Sequence, residues 1–415
     1  MALLELPSAS IMSEPPKIAI STGSLMFGGS TTFVLQLTSG FKALGVRSAV
    51  FSFRSDHPFA EEFAAAGIPV HLADERRFIY EDRMESLYQR IVEFGPTAVI
   101  ANLGAEGYEM LRYMPPGVAR IGVVHDLAMD PSYWISDYQD ALDGLAVVNR
   151  LLTENVRRAA PDMKCEYLAH GIPLPDVSAR DRNPSDPLKL IYFGRLYPGK
   201  GTRLFPGIVE ELRKRDIPFQ FRIHGTGPEE SYLRESLASF IASGTVTLST
   251  NVPRSELYPL IRQNDIFIMA SEHEGGPLTL LEAMSLGLVP VCNDIPCLVH
   301  EVVHPDTGFR VARTPEAFAE AIAALHRDRA MLERLSAAAR KTIDGNYTIE
   351  SMARRYLEFI KSAAPAQTHI EWPAAIRPKP IATMPRVSQL AQRLPLVKPM
   401  RRILKKMKTT RPQDI

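Results

Sequence analysis

The sequence has few cysteines, no long apolar run and no excess of charge of either sign. Its 415 residues include only Cys165, Cys292 and Cys297, without a Cys-x-x-Cys pair, which argues against a disulfide scaffold and against a structural zinc site. No window approaches the roughly 20 apolar residues that a transmembrane helix needs. The 48 basic and 47 acidic residues give a formal net charge of +1, which excludes a protein organised as a whole around polyanion binding.

The first residues also lack the features of an export signal. The opening MALLELPSAS has no basic segment, and Glu5 and Pro7 interrupt its apolar run. We therefore expect a cytoplasmic protein in which residues 1–16 form a loose tail ahead of the first strand.

Short β-branched runs alternate with amphipathic helical stretches through most of the chain, in two successive sets. The first set predicts strands at 17–22, 48–53, 98–101, 119–124 and 145–148, and the second at 188–193, 220–224, 246–249, 266–269 and 289–291. Helical stretches lie between the strands, for example at 204–215 and 228–242. The segment 171–187, rich in Pro, Asp and Ser, separates the two sets and has the composition of a linker.

This order predicts an α/β fold of two tandem Rossmann-like domains with parallel, doubly wound sheets. We place the first domain at 17–170 and the second at 188–348, followed by a helix over 349–363 that closes the second domain. The last segment, 364–415, is first proline-rich and then basic. Ligands of such folds bind beyond the carboxyl ends of the strands and between domains, so we expect the chemistry in the interdomain cleft.

A glycine-rich turn follows the first predicted strand. Gly28 and Gly29 stand just before a helix that we expect to begin near Ser30. Glycine lets the backbone approach a ligand closely, and a helix N-terminus offers unpaired N–H groups to a phosphate. Because the spacing is not the G-x-G-x-x-G of dinucleotide-binding proteins, the turn by itself is a weak signal.

Two cations follow the first strand of the second domain, in IYFGRLYPGKGTRLF. Arg195 and Lys200 lie five residues apart across a Pro-Gly turn. Two cations at the carboxyl end of a strand can clamp a diphosphate, the arginine through its planar fork and the lysine as a point charge.

The strongest signal is SEHEGGPLTLLEAMSLGLVPV. Glu274 precedes two glycines, and Glu282 follows eight positions later on a helix predicted over 278–284. The glycines and the helix N-terminus form an anion site, and eight positions are about two helical turns, which predicts that both carboxylates lie on a similar face. One carboxylate can then reach sugar hydroxyls beside the phosphate and the other a ribose.

Together with Gly194-Arg195-Leu196 and Lys200-Gly201, this motif closely resembles the retaining nucleotide-sugar glycosyltransferases of the GT-B fold, the family-four or group 1 type. The resemblance covers roughly 17–362 and is most specific in the second domain. It implies transfer of a sugar, with retention, from a UDP-, GDP- or ADP-linked donor to a glycan or lipid-linked acceptor, as in the assembly of bacterial surface polysaccharides or glycolipids.

The resemblance also implies roles for individual residues. Arg195 and Lys200 would bind the donor diphosphate, Glu282 the ribose and Glu274 the transferred sugar. The remaining positions are the backbone N–H groups of Leu278 and Thr279 at the phosphate, Val252 and Pro253 beside the base, Gly28 and Gly29 in the family's glycine loop, and His125 near the sugar. The role of His125 is supported only by the resemblance, because a lone histidine at a strand end is more often structural.

No Asp-x-Asp pair stands beside the proposed diphosphate site. Arg195 and Lys200 can instead stabilise the negative charge that grows on a leaving diphosphate. We therefore expect no metal ion and no other cofactor, since the nucleotide-sugar is a substrate.

The charge is unevenly distributed along the chain. Residues 361–415 contain twelve basic and two acidic residues, a net charge of +10, which leaves −9 for residues 1–360. Apolar residues within 386–411 recur at helical spacing, interrupted by Pro395 and Pro399. Such a basic amphipathic segment can bind an anionic membrane surface, and a solvated, disordered tail is the alternative. We expect no nucleic-acid partner, because Trp372 is the only aromatic residue among residues 361–415.

Several other functions stay open at this point. A sugar-nucleotide epimerase or a phosphorylase of the same broad fold would also bind a sugar and a phosphate, but the first consumes no acceptor and the second requires inorganic phosphate. A nucleic-acid-binding protein led by its basic tail and a catalytically silent scaffold are further alternatives.

Overall fold

The computed structural model describes residues 16–365 apart from 27, 74–79, 126–136, 176–185, 251–253 and 364. The predicted base-bordering residues Val252 and Pro253, and the basic segment 386–411, lie outside the described residues. Within the described part the chain forms two parallel sheets, one in each half, which confirms the expectation of two Rossmann-like domains. None of the helices in this part has the length and hydropathy of a membrane-spanning segment.

The first domain is built on a seven-stranded sheet in the order β3-β2-β1-β4-β5-β6-β7, as far as the structure describes it. Its strands are β1 (Lys17–Thr22), β2 (Arg47–Ser52), β3 (Val70–Leu72), β4 (Ala98–Leu103), β5 (Ala119–Val124), β6 (Gly144–Val147) and β7 (Cys165–Tyr167). Its helices are α1 (Gly29–Ala43), α2 (Ala60–Ala66), α3 (Tyr80–Phe94), α4 (Ala105–Leu111) and α5 (Arg150–Ala159). Side chains of the central strands, such as Ile18 and Ile20, are fully buried, as expected for a parallel sheet covered on both faces.

The second domain repeats the design on a six-stranded sheet in the order β10-β9-β8-β11-β12-β13, among the described residues. Its strands are β8 (Leu188–Phe193), β9 (Phe219–His224), β10 (Val246–Ser249), β11 (Ile266–Met269), β12 (Val289–Asn293) and β13 (Phe309–Val311). Its helices are α6 (Phe205–Lys214), α7 (Glu230–Ser236), α8 (Ala238–Ala242), α9 (Arg254–Arg262), α10 (Leu278–Ser285), α11 (Leu298–Val302), α12 (Pro315–Arg327) and α13 (Arg329–Asn346).

The predicted elements differ from the structure mainly where an element is short. Strands β3, β7 and β13 have three residues each, too few for a periodic pattern, and the sequence analysis missed them. The helix predicted over 228–242 is divided into α7 and α8, because the backbone of Leu237 leaves helical geometry at φ −107° and ψ 10°.

The last described helix, α14 (Ile349–Ser362), begins at the predicted residue and ends one residue earlier than predicted, but it packs on the first domain. Its buried residues Met352, Ala353 and Tyr356 belong to the apolar core of the first sheet. Gly40 of α1 allows this close contact, since a Cβ there would lie 2.8 Å from the Ala353 Cβ. The expectation that this helix closes the second domain is therefore wrong.

The chain consequently crosses between the domains twice, and the two crossings lie side by side. Ile172 and Thr348 form an isolated parallel β-bridge. The Ile172 N–H donates to Tyr347 O at 2.8 Å, and the Ile349 N–H donates to Ile172 O at 3.1 Å. These paired crossings are the covalent connection about which the two domains are arranged.

Candidate functional site

A cleft of about 650 Å³ lies between the two domains, beyond the carboxyl ends of strands of both sheets. Every predicted site residue that lies within the described part lines it: Gly28, Gly29, His125, Arg195, Lys200, Glu274, Leu278, Thr279 and Glu282. The fold thus brings together residues that are up to 254 positions apart, although the role of each stays a prediction.

Arg195 faces the cleft from the loop that follows β8. The preceding residue is fixed to the loop after β9, because the Gly194 N–H donates to His224 O at 3.0 Å. Gly225 permits this approach, since a Cβ there would lie 1.9 Å from Gly194 O. The Arg195 side chain is exposed, and no described residue forms an ion pair with it. Its charge is therefore available to an anion in the cleft.

Lys200 and Glu274 form an ion pair in the same wall. Lys200 Nζ lies 2.6 Å from Glu274 Oε1, and the Ser271 hydroxyl donates to that oxygen at 2.7 Å. The two loops meet because the Glu272 N–H donates to Gly199 O at 2.9 Å. Lys200 was predicted to bind the diphosphate and Glu274 the sugar, but here they form an ion pair with each other. The sequence analysis missed this pairing.

Helix α10 points its N-terminus into the cleft. The N–H groups of Leu278 and Thr279 have no acceptor within the described part of the chain, as is usual for a first helical turn. The helix dipole adds a partial positive charge at this end. Together with Arg195, these groups make this wall of the cleft suited to an anion.

Glu282 and Glu274 both face the cleft, but not from one helix. Glu282 lies on α10 with 4% of its surface exposed, and its Oε1 accepts from the Tyr258 hydroxyl at 3.3 Å. Glu274 precedes the helix, which begins only at Leu278. The prediction that two helical turns place both carboxylates on a similar face is therefore wrong, because the intervening Gly-Gly-Pro loop positions Glu274.

The glycine turn of the first domain forms the opposite wall. Helix α1 begins at Gly29, one residue before the predicted start. A Cβ at Gly29 would lie 3.8 Å from Leu278 Cδ1, so the turn faces the N-terminus of α10. A Cβ at Gly28 would meet no described atom within 4 Å. The missing side chains thus leave room for a ligand.

His125 is part of a line of polar atoms that joins the two domains. Its Nε2 lies 2.6 Å from Asn102 Oδ1, and its Nδ1 lies 3.3 Å from His170 Nε2. His170 Nδ1 in turn lies 3.0 Å from Gly276 O of the second domain. The Phe33 ring packs against both imidazoles, with ring centroids 4.9 and 5.1 Å apart.

The acceptor oxygens at the two ends of this line determine which histidine nitrogens carry hydrogens. Asn102 Oδ1 and Gly276 O can only accept, so the ring nitrogens that face them carry the hydrogens. Burial lowers the pKa of His125 well below its usual value, with the neighbouring His170 as a second cause, and burial also lowers the pKa of His170 to about 4. Both rings are therefore neutral near pH 7 and carry one hydrogen each. His125 Nδ1 and His170 Nε2 then face each other without a hydrogen between them, and each keeps a lone pair that can accept from a ligand hydroxyl.

The sequence analysis missed Asn102, His170 and Ser271 because none of them stands in a recognisable motif. The available signal was position: Asn102 is near the end of β4, Ser271 lies two residues after β11, and His170 lies three residues after β7. Polar residues at the carboxyl ends of parallel strands are expected to face a ligand-binding edge.

Residues 176–342 match the family model described as glycosyl transferases group 1. Over 139 residues the chain is 33% identical to the GDP-mannose:cellobiosyl-diphosphopolyprenol alpha-mannosyltransferase of Xanthomonas oryzae, and over 175 residues it is 28% identical to the putative colanic acid biosynthesis glycosyltransferase WcaL of Escherichia coli. These alignments cover 33% and 40% of this chain and 37% and 42% of the two relatives. The similarity thus spans less than half of either relative.

Two solved structures share the architecture over most of the chain. TarM of S. aureus, whose structure contains UDP, has a TM-score of 0.68 at 12% identity and covers 83% of this chain and 99% of its own. Alr3699/HepE of Anabaena, solved with UDP and glucose, has a TM-score of 0.67 at 15% identity and covers 84% and 100%. At this identity the likeness establishes the fold, which is GT-B.

Proposed function

We propose that this protein, whose residues 176–342 match the family model of the glycosyl transferases group 1, transfers a sugar from a nucleotide-sugar donor to an acceptor hydroxyl in the interdomain cleft. The observation that carries the proposal is the convergence of Arg195, Lys200 and the N-terminus of α10 on one wall of that cleft. Cations and unpaired N–H groups at one place are suited to a diphosphate.

The donor diphosphate lies, in this proposal, against Arg195 and the N–H groups of Leu278 and Thr279. It competes with Glu274 for Lys200, whose ammonium group the carboxylate holds at 2.6 Å without a ligand. Displacement from Lys200 leaves Glu274 to accept from hydroxyls of the transferred sugar, while the Ser271 hydroxyl keeps the carboxylate in place. Glu282 binds the ribose, and contacts of Val252 and Pro253 with the base stay a prediction.

Departure of the nucleoside diphosphate increases its negative charge while the sugar becomes oxocarbenium-like. Fixed cations and a helix N-terminus stabilise that charge more strongly in the transition state than in the ground state. His125 Nδ1 can accept from a sugar hydroxyl and so orient the ring. We propose that the configuration at the anomeric carbon is retained, as the resemblance implies, and NMR of the product linkage tests this.

We propose that the transfer needs no metal ion, because Arg195 and Lys200 already supply two positive charges at the diphosphate. Turnover is then unaffected by EDTA. Loss of turnover in EDTA that magnesium restores would show that a metal ion is required.

We further propose a lipid-linked acceptor at the cytoplasmic face of an anionic membrane, in the assembly of bacterial surface polysaccharide or glycolipid. The support is the +10 charge of residues 361–415 and the similarity to a mannosyltransferase named for a diphosphopolyprenol-linked acceptor. The full chain should float with vesicles that contain anionic lipid, and a chain ending at residue 363 should not. Equal flotation of the two chains would remove the membrane proposal.

A donor screen tests the activity itself. UDP-, GDP- and ADP-sugars are compared by thermal shift, because a ligand that binds only the native state raises the melting temperature. The stabilising donor is then incubated with lipid-linked or glycan acceptors, and nucleoside diphosphate release is followed. Release that depends on an acceptor supports a glycosyltransferase. Conversion of the sugar without release indicates an epimerase, and dependence on inorganic phosphate indicates a phosphorylase.

A further inference from the structure

Two buried side chains of the first domain hold consecutive carbonyl groups of the second. Asn149 Nδ2 donates to Gly275 O at 3.2 Å, and His170 Nδ1 donates to Gly276 O at 3.0 Å. Asn149 is fully buried and His170 is 4% exposed. The two glycines directly follow Glu274 and precede α10, so these bonds act on the loop that positions both. We refer to the pair of hydrogen bonds as the Gly275–Gly276 clasp.

The orientation of Asn149 is set before it meets the second domain. Its Oδ1 accepts from the Leu152 N–H at 2.9 Å and so caps α5. With the oxygen engaged at the helix, the amide nitrogen is directed at Gly275 O. This donor is therefore preorganised by the first domain alone.

His170 is fixed by the interdomain crossing on which it lies. The next residue, Gly171, packs so tightly that a Cβ would lie 2.2 Å from Thr348 O of the second crossing. The imidazole packs on Phe33, and its Nδ1 must carry the hydrogen because Gly276 O can only accept. A rotation of one domain against the other about these crossings would separate His170 from Gly276.

We propose that Asn149 and His170 are positioning residues that fix the Gly275–Gly276 loop only when the domains are closed. Glu274, which directly precedes these glycines, then reaches its working position in the cleft as part of closure. In an open cleft both carbonyl groups lose these partners, and the loop is held only by its own domain. The catalytic consequence rests on the proposed function, whereas the coupling of the loop to closure does not.

His170→Asn and His170→Leu form a matched pair for the test. An asparagine Nδ2 stands close to where the histidine Nδ1 stands, so His170→Asn keeps a donor for Gly276 O, whereas leucine has none. We expect His170→Leu to lower kcat roughly tenfold, the loss expected for about one hydrogen bond, while the Kd for nucleoside diphosphate changes by less than about twofold. His170→Asn should keep most of the activity. A loss of general packing would affect both variants alike and would contradict the proposal.

Asn149→Ser is the second variant, and it keeps the test decisive should His170→Leu not fold. Serine retains an oxygen for the Leu152 N–H and preserves the cap of α5, but its shorter side chain does not reach Gly275 O. We expect a melting temperature close to that of the parent chain and a drop in kcat like that of His170→Leu. Undiminished kcat in this variant would overturn the role of Asn149.

Hydrogen exchange tests the clasp without any donor or acceptor. In the unliganded protein, peptides covering 272–281 should exchange faster in His170→Leu and Asn149→Ser than in the parent chain, with His170→Asn unchanged. Equal exchange in all four proteins would overturn the proposal. Faster exchange in a protein that turns over no nucleotide-sugar would leave the clasp standing and refute the proposed function.

Discussion

Lys200 Nζ and Glu274 Oε1 lie 2.6 Å apart, with 25% and 13% of their side-chain surfaces exposed. The sequence predicts that each binds a different part of one ligand, yet without a ligand they bind each other. The pair keeps a cation and a carboxylate at the cleft at a lower electrostatic cost than either would have alone. In the proposed donor complex the diphosphate replaces the carboxylate at Lys200, so that donor binding and the release of Glu274 are one event.

Glu274→Gln should separate binding from transfer. The amide keeps the size of the side chain and an oxygen for Ser271, but it no longer competes for Lys200. We expect nucleoside diphosphate to bind at least as tightly as in the parent chain, whereas sugar transfer falls roughly 100-fold because the charged contact to the sugar is lost. Calorimetric titration and a release assay measure the two quantities. Weaker nucleotide binding with undiminished sugar transfer would contradict the assignment of Glu274 to the transferred sugar.

Arg195→Ala should weaken nucleoside diphosphate binding roughly 10- to 100-fold, the range expected when a charge-assisted hydrogen bond is lost. Arg195 is exposed and has no ion-pair partner in the described part of the structure, so the melting temperature should not change. Arg213→Ala is the control, because Arg213 pairs with Glu210 on an exposed face that is not part of this cleft. Equal effects of the two variants on Kd would contradict a donor site at Arg195.

Gly28→Leu should obstruct the cleft without damaging the fold. The φ of 162° at Gly28 is extended backbone that any residue adopts, and a Cβ there meets no described atom within 4 Å. We expect an unchanged melting temperature without donor and a loss of nucleotide-sugar binding. Thermal-shift measurements with and without donor test both. Gly345→Leu is the control, since a Cβ on this glycine also finds open space within the described structure. Unimpaired donor binding in Gly28→Leu would exclude the glycine turn from the donor site.

Lowering the pH should reduce the free energy of unfolding because His170 is buried in its neutral form. Burial disfavours the charged form of this ring and lowers its pKa to about 4 in the native state, from the 6.5 that is usual for an exposed histidine. As the pH falls from 6.5 towards 4, the unfolded chain binds a proton that the native chain does not, so His170 destabilises the fold by up to about 3 kcal/mol. Above that window it contributes no pH dependence.

His170→Asn removes this titration and should therefore lose less stability than the parent chain over the same pH window. Urea unfolding of both proteins from about pH 7 to about pH 4.5 measures the difference. His170 also lowers the pKa of His125 in the parent chain, so the difference between the two curves reports His170 together with its effect on His125. Parallel stability curves would show that His170 does not titrate as its burial requires.

Local sequence patterns are enough to locate most of the elements and the types of residue at the site. Central strands such as β1, β8 and β11 have their predicted bounds because a buried parallel strand is a short, continuous apolar run. Helix α14 begins at its predicted residue and ends within one residue of the prediction because helical periodicity is local. Arg195, Glu274 and Glu282 were found because their motifs are contiguous.

Which of these elements and residues meet depends on how the two domains pack. The sequence analysis assigned α14 to the second domain, whereas its apolar face packs on the core of the first domain. Lys200 and Glu274 are 74 positions apart, His170 and Gly276 are 106 apart, and Asn149 and Gly275 are 126 apart. Contacts over such separations depend on how the two sheets and their crossings pack against each other. A pattern in consecutive residues encodes the local conformation of an element but not the partner against which that element is buried.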